Sequence, residues 1–227
     1  MLIVLEGLDG AGKSTQLKML REYLVSCGRK VEYLHFPRYE APVIGDMIGS
    51  FLRGDFGSID QVHPKVVAYF FAEDRHAAAP DIRRMLESGS VVILDRYVYS
   101  NIAFQCAKLE GAEAKGTLRE WIYETEYKVF SIPKPDLNLF LDVPISFVDG
   151  KLHESRKGDD NRGYLEGKSD IHEADIEFQK KVREIYLQQC AADPDFRRID
   201  CSNESGRMLK AEEIFSRIKA EVESKMA

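Results

Sequence analysis

The run Gly7-Leu8-Asp9-Gly10-Ala11-Gly12-Lys13-Ser14-Thr15 fits G-x-x-x-x-G-K-[ST] and limits what this chain can fold into. Glycines at 7, 10 and 12 let the backbone curl until several N–H groups point inward. Such a nest, opening onto a helix N-terminus, holds anionic phosphate oxygens. Within it Lys13 can reach the outer phosphates of a nucleotide, and the Ser14 hydroxyl can ligate Mg²⁺. The flanks agree with this reading. Met1 to Leu5 is a short apolar strand pattern, and Gln16 to Cys27 is an amphipathic helix with Leu17, Leu20 and Leu24 on one face.

The alternation continues beyond the loop. Gly28 stops the first helix, and Val31 to His35 reads as a second strand, left through the rigid corner Phe36-Pro37-Arg38. A short helix is expected over 43–53, ending near Gly54. A long one is expected from Pro64, which suits a first turn, to about Ala79, where Pro80 interrupts it. Val91 to Leu94 is a continuous apolar run, as in a strand buried on both faces, and Asp95-Arg96-Tyr97 stands at its C-terminal end. Helices follow over 99–110 and 115–130, a strand over Leu137 to Leu141 and a short helix over 145–153. Beyond them come a helix over 172–191, a strand from Phe196 to Ile199 and a last helix over 208–225. This order predicts an α/β fold: a parallel sheet of about five strands flanked by helices, forming a single domain over 1–227. Ligands of such sheets gather beyond the carboxyl ends of the strands, where the glycine-rich loop, Arg38 and Arg96 all fall.

Net charge is 32 − 38 = −6, which gives no reason to expect nucleic acid or an anionic membrane as partner. No apolar run approaches the ~20 residues of a membrane span, and no targeting segment is read at the N-terminus. Cys27, Cys106, Cys190 and Cys201 have neither C-x-x-C nor metal-ligand spacing, which fits free thiols in a reducing cytoplasm.

A phosphate loop alone does not separate a kinase from a GTPase, a motor or a passive sensor. There is no Asn/Thr-Lys-x-Asp motif to read guanine and no Asp-x-x-Gly after the second strand. Arginines are the distinguishing feature: Arg38 and Arg96 at strand ends, Arg75 on the long helix, Arg156 and Arg162 in the charged, glycine-containing stretch 154–170. Joining two phosphates needs concentrated positive charge, and an ionised phosphate acceptor needs no strong general base.

The chain resembles the thymidylate kinase family of P-loop nucleoside monophosphate kinases along nearly its whole length. The resemblance rests on Leu5 to Thr15, Phe36-Pro37-Arg38, Phe71-Ala72-Glu73-Asp74-Arg75, Asp95-Arg96-Tyr97-Val98-Tyr99-Ser100-Asn101 and Arg162-Gly163-Tyr164. It implies a P-loop kinase fold with a mobile lid over about 154–170, and ATP-dependent phosphorylation of dTMP to dTDP by a cytoplasmic homodimer. Gly7, Gly10, Ala11, Gly12, Lys13, Ser14, Thr15 and Lys151 would hold ATP, and Ser14 and Asp95 would hold Mg²⁺, Asp95 through water. Asp9 would bond the acceptor's 3′-hydroxyl; Arg38 and Arg96 would clamp its phosphate; Phe71 would stack on thymine and Arg75 would donate to O4. Phe36, Ser100, Asn101, Phe104, Gln105 and Tyr164 would complete the dTMP site, with Phe104 beneath the sugar and Tyr164 over it. Some members of the family carry an arginine inside the phosphate loop. Here that position is Gly10, so the charge on the transferring phosphate would come from Arg156 and Arg162 in the lid, beside Lys13 and Arg96. Two departures from the family pattern stand out: Gly163 splits the usual Arg-Tyr pair, and Lys151 replaces an arginine that often stacks on adenine. The competing readings are a nucleoside or different nucleotide kinase, and a non-catalytic nucleotide-binding regulator.

Overall fold

Five parallel strands lie in the order β2-β3-β1-β4-β5. The computed structural model describes residues 1–153, 160–168, 170–172 and 175–226. The central strand, β1 (Leu2–Gly7), pairs with β3 (Val91–Asp95) on one side and β4 (Leu137–Asp142) on the other. The edges are β2 (Val31–His35) and β5 (Phe196–Asp200). Parallel neighbours need long crossovers, and among the described residues these carry α1 (Lys13–Ser26), α2 (Ile44–Leu52), α3 (Pro64–Glu87), α4 (Val98–Cys106), α5 (Ala112–Tyr123), α6 (Ile145–His153) and α7 (Ile176–Ala192), while α8 (Ala211–Met226) follows β5. With helices packed around the sheet, β1, β3 and β4 are buried at every position, whereas β2 at the edge is partly exposed.

The register decides where the site forms. Leu5 and His35 both lie opposite Asp95, and Gly7 lies opposite Leu141. The chain therefore leaves β1, β2 and β3 at one level. Arg96 N donates to Leu5 O at 3.0 Å and Phe36 N to Asp95 O at 3.0 Å, tying the three exits together. The Phe36-Pro37 peptide at the exit of β2 is cis.

Three helical expectations need correction. Helix α3 does not stop at Ala79 but runs through Pro80 to Glu87. Pro80 is exposed, so the helical bond it cannot donate is lost on the wet face, where water satisfies the freed carbonyl. The helix expected over 115–130 is α5 followed by a π-helical turn over Glu124–Val129. The helix expected to begin near 172 starts at Ile176, after Asp175 caps it by accepting from Glu177 N at 2.8 Å. Of the expected lid, 154–159 and 169 lie outside the described residues, and Asp160–Leu165 form a 3₁₀ turn.

Candidate active site

Between β1 and α1 the chain curls as its glycines allow. Gly10 and Gly12 take φ of 74° and 78°, left-handed values that any side chain would strain, and Ala11 N donates to Leu8 O at 3.3 Å. Lys13 enters α1 buried, with Nζ donating to Leu8 O at 3.1 Å. Burial, helped by the Arg96 charge, pushes its pKa down to about 8 against the pull of Asp95, Asp9 and Glu6. A cation held this reluctantly is suited to an anion that restores its charge balance. Ser14 and Thr15 are exposed beside it.

Asp95 ends β3 and is buried. Burial alone would raise its pKa, but His35, Lys13 and Arg96 together hold it below the ordinary carboxylate value. His35 Nδ1 lies 3.3 Å from Asp95 Oδ2, while Asp95 Oδ1 is buried with no hydrogen-bond partner among the described residues. That unsatisfied oxygen and the Ser14 hydroxyl form a donor set suited to a hard divalent cation that takes its other ligands from water and phosphate. No cluster of three His, Cys, Asp or Glu residues able to hold a metal occurs among the described residues.

Arg96 follows Asp95 with φ of 65°, a strained conformation for arginine. It is held by several bonds: Nη1 donates to Gly7 O at 2.9 Å and to Ser100 Oγ at 3.2 Å, and Nη2 to Asp9 Oδ1 at 2.6 Å. Its guanidinium carbon Cζ lies over the Phe104 ring, 5.1 Å from the ring centroid. Burial lowers its pKa, but Asp9, Asp95 and Glu6 outweigh that and drive it up. Behind it, fully buried Glu6 receives bonds from Tyr97 N (2.9 Å), Ser100 N (3.1 Å), the Ser100 hydroxyl and Tyr186 OH (3.0 Å). This network fixes the start of α4 against the end of β1.

Arg38 is placed differently. Its backbone N donates to Asp74 Oδ2, its Nε to Asp74 Oδ1 and its Nη2 to Asp74 O, each at 2.8 Å, so it is drawn onto α3. Arg75, on the same helix, is buried and paired through two bonds with Glu126.

A cavity of about 450 Å³ opens over these groups. Its floor is the loop from Asp9 to Thr15, with Asp95 and Arg96. Phe36, Phe71 and Phe104 give it apolar walls, and Arg75, Ser100, Asn101 and Gln105 supply polar ones. Tyr164 closes one side by stacking on Tyr39, with ring centroids 3.7 Å apart and planes 7° apart; its hydroxyl donates to Asp170 Oδ2 at 2.7 Å. Gly163 therefore does not keep Tyr164 out of the cavity.

The structure thus gathers Asp9, Gly10, Ala11, Gly12, Lys13, Ser14, Thr15, Phe36, Phe71, Arg75, Asp95, Arg96, Ser100, Asn101, Phe104, Gln105 and Tyr164 around one space. Gly7 stands just behind it, offering its carbonyl to Arg96. Arg38 is not part of the lining. Arg156 lies outside the described residues, as do the side chains of Lys151 and Arg162. Sequence reasoning missed Tyr39, Asp170 and His172, which line the cavity, and Gln179, whose Nε2 bridges Asp9 Oδ2 (3.1 Å) and His172 O (2.9 Å). It also missed the buried acids Glu6 and Glu126. Both carried a signal: Glu6 ends an apolar strand, and Glu126, in the π turn, stands four residues after Ile122 and so continues the spacing of the buried Leu118 and Ile122 of α5.

Comparison with known proteins bears on this geometry. Residues 5–211 match the family model described as thymidylate kinase. The thymidylate kinase of Mycobacterium tuberculosis is 34% identical over 192 residues, covering 84% of this chain and 86% of that protein. Human thymidylate kinase is 35% identical over 145 residues, covering 64% and 62% of the two chains. The solved structure of thymidylate kinase from Candida albicans superposes with a TM-score of 0.72 at 26% identity, over 99% of this chain and 92% of that one. With the phosphate loop, the strand-end arginine and the walled chamber joined in one cavity, the chain belongs to the thymidylate kinase family.

Proposed function

We infer that the protein transfers the γ-phosphoryl group of ATP to dTMP, giving ADP and dTDP. The observation that carries this reading is a single cavity in which the phosphate loop and Arg96 face a chamber walled by Phe71, Phe104 and Arg75. One end suits phosphates and the other suits a flat base with a keto edge.

An oxygen of the dTMP phosphate attacks the γ-phosphorus while the bond from that phosphorus to the β,γ-bridging oxygen breaks. The attacking oxygen is already ionised, so no side chain has to remove a proton. The chain's own task is to hold two anions end to end. Backbone N–H groups of the loop and Lys13 hold the ATP phosphates. Arg96, stiffened by Gly7 O, Ser100 and Asp9, presents a preorganised guanidinium toward the acceptor phosphate. Arg38 joins it by leaving Asp74 for the stronger anion. Phe71 stacks on the base, Phe104 crowds the position a ribose 2′-hydroxyl would take, and Asp9 receives the 3′-hydroxyl. Arg156 and Arg162 add charge at the transferring group when the lid closes, and closure excludes water. Lys151 would serve the adenine, as the family resemblance implies. Ser14 and Asp95 would hold Mg²⁺, Asp95 through water; when bound, that ion offsets charge on the β- and γ-oxygens.

The protein forms one domain, acts in the cytoplasm and assembles as a homodimer. Four free cysteines support the reducing compartment, and no described helix is long and apolar enough to cross a membrane. Val66 and Tyr69, exposed on α3, give a second copy an apolar face to cover. Sedimentation at micromolar concentration is expected to show a dimer; a species of only 25.9 kDa would contradict it.

A coupled ADP-release assay tests the reaction with dTMP, dUMP, dCMP, dGMP, AMP and thymidine side by side. Turnover is expected to be highest with dTMP. ATP binding without turnover on any acceptor would favour a regulator, and a preference for thymidine would favour a nucleoside kinase.

A further inference from the structure

The π-helical turn after α5 carries a carboxylate that phosphoryl transfer does not use. Glu126 is fully buried. Its Oε2 accepts from Arg75 Nε at 2.5 Å, and its Oε1 accepts from Arg75 Nη2 at 2.7 Å and from Asn101 Nδ2 at 3.0 Å. The same Asn101 nitrogen also donates to Ala68 O at 3.0 Å. Both of these partners are acceptors, so the amide nitrogen must face them. Asn101 Oδ1 is left buried with no partner among the described residues, and both Arg75 and Asn101 line the cavity. A buried acceptor without a donor is costly, and a ligand N–H would relieve it. Single π turns interrupt helices at functional sites more often than elsewhere.

We propose that Glu126 is the positioning residue that sets base specificity, acting through Arg75 and Asn101. It takes up Arg75 Nε and Nη2 and the Asn101 amide nitrogen, leaving Arg75 Nη1 as donor and Asn101 Oδ1 as acceptor for the base. A donor beside an acceptor reads a 4-keto oxygen beside a protonated N3. Cytosine presents the reverse pair, an amino group beside a bare N3, and meets donor with donor and acceptor with acceptor. Without the carboxylate, only Ala68 O opposes rotation of the Asn101 amide, and a rotated amide donates to the cytosine N3. The proposal rests on reading the cavity as a dTMP site.

The test measures kcat/KM for dTMP and dCMP on one preparation of the full chain carrying Glu126→Gln. The ratio of the two is independent of how much protein is folded, so a merely structural loss does not move it. The dTMP-over-dCMP ratio is expected to fall at least about tenfold, through a raised KM for dTMP, with KM for ATP within about twofold of the starting protein. Glu126→Asp keeps the charge and is expected to retain most of the ratio. An unchanged ratio in Glu126→Gln overturns the proposal. Should that variant not fold, a crystal of the starting protein with dTMP decides: Glu126 still holding Arg75 and Asn101 while those two side chains contact the base supports the proposal, and a bound base with either of these pairs broken overturns it. A starting protein that does not discriminate dTMP from dCMP would instead defeat the reading of the cavity itself.

Discussion

Lys13 shows how one side chain couples the loop to its ligand. In the free protein, burial and the nearby Arg96 hold its pKa near 8, about where it gives up its proton. The unfolded chain keeps that proton to about pH 10.4. Between those values the unfolded state binds more protons than the folded one, so this lysine's contribution to stability improves as pH rises through the window and is a constant penalty below it. Phosphates reverse the imbalance by favouring the charged amine. Binding of ATP is therefore expected to take up a fraction of a proton at about pH 8.5, and progressively less as pH falls below the Lys13 pKa. Calorimetry in buffers of different ionisation enthalpy reads this directly; no buffer dependence at pH 8.5 would remove Lys13 from the phosphate site. The residue roles most legible in the sequence were of this kind, where a motif fixes the neighbour. Arg38 shows the limit: its strand-end position was readable, but its engagement with Asp74 was not, because 36 residues separate the partners.

The corner between β2 and α2 is a packing device built on one glycine. A Cβ on Gly45 would lie 2.3 Å from Tyr39 O and 2.8 Å from Arg38 O, backbone atoms that cannot yield without shifting the chain. Gly45→Ala is expected to push this corner outward, parting Tyr39 from Tyr164 and Arg38 from Asp74. Stability should fall by about 1–3 kcal/mol, with a larger effect on KM for dTMP than for ATP. Denaturant unfolding and steady-state kinetics check both, and an ATP-selective loss would contradict this placement. The proposed lid arginines lead to a prediction about charge. Because Gly10 stands where an arginine would serve the transferring phosphate, Arg156→Met with Arg162→Met is expected to cut kcat by about 10² or more at nearly unchanged melting temperature. Near-normal turnover would discard the assignment. The central strands were readable because burial on both faces leaves continuous apolar runs, and most helices because one buried face leaves a periodic apolar stripe. The passage of α3 through Pro80 was not, since its local cost is outweighed by the packing of Ala78, Ala79 and Ile82. The π turn was not either, since periodicity shows a helix but not its pitch.

At the scale of the whole molecule, a parallel sheet places every strand exit on one edge, and the register levels three of those exits at Leu5, His35 and Asp95. This explains why so much of the candidate site could be listed from the sequence: motifs at strand ends converge whatever the connections between them. What converges from elsewhere stayed hidden. Tyr39, Asp170 and His172 reach the cavity from loops, and Gln179 on α7 braces Asp9 and His172 behind it, by tertiary packing that no local pattern records. The central claim is that two phosphates meet in this one cavity under a guanidinium that offsets their repulsion. A crystal of the full chain with ADP and dTMP bound together tests it most directly. The account predicts the ADP β-phosphate inside the loop from Gly7 to Ser14 and the dTMP phosphate within hydrogen-bond distance of Arg96. A dTMP phosphate with no arginine beside it, or a nucleotide bound away from the cavity, would contradict it.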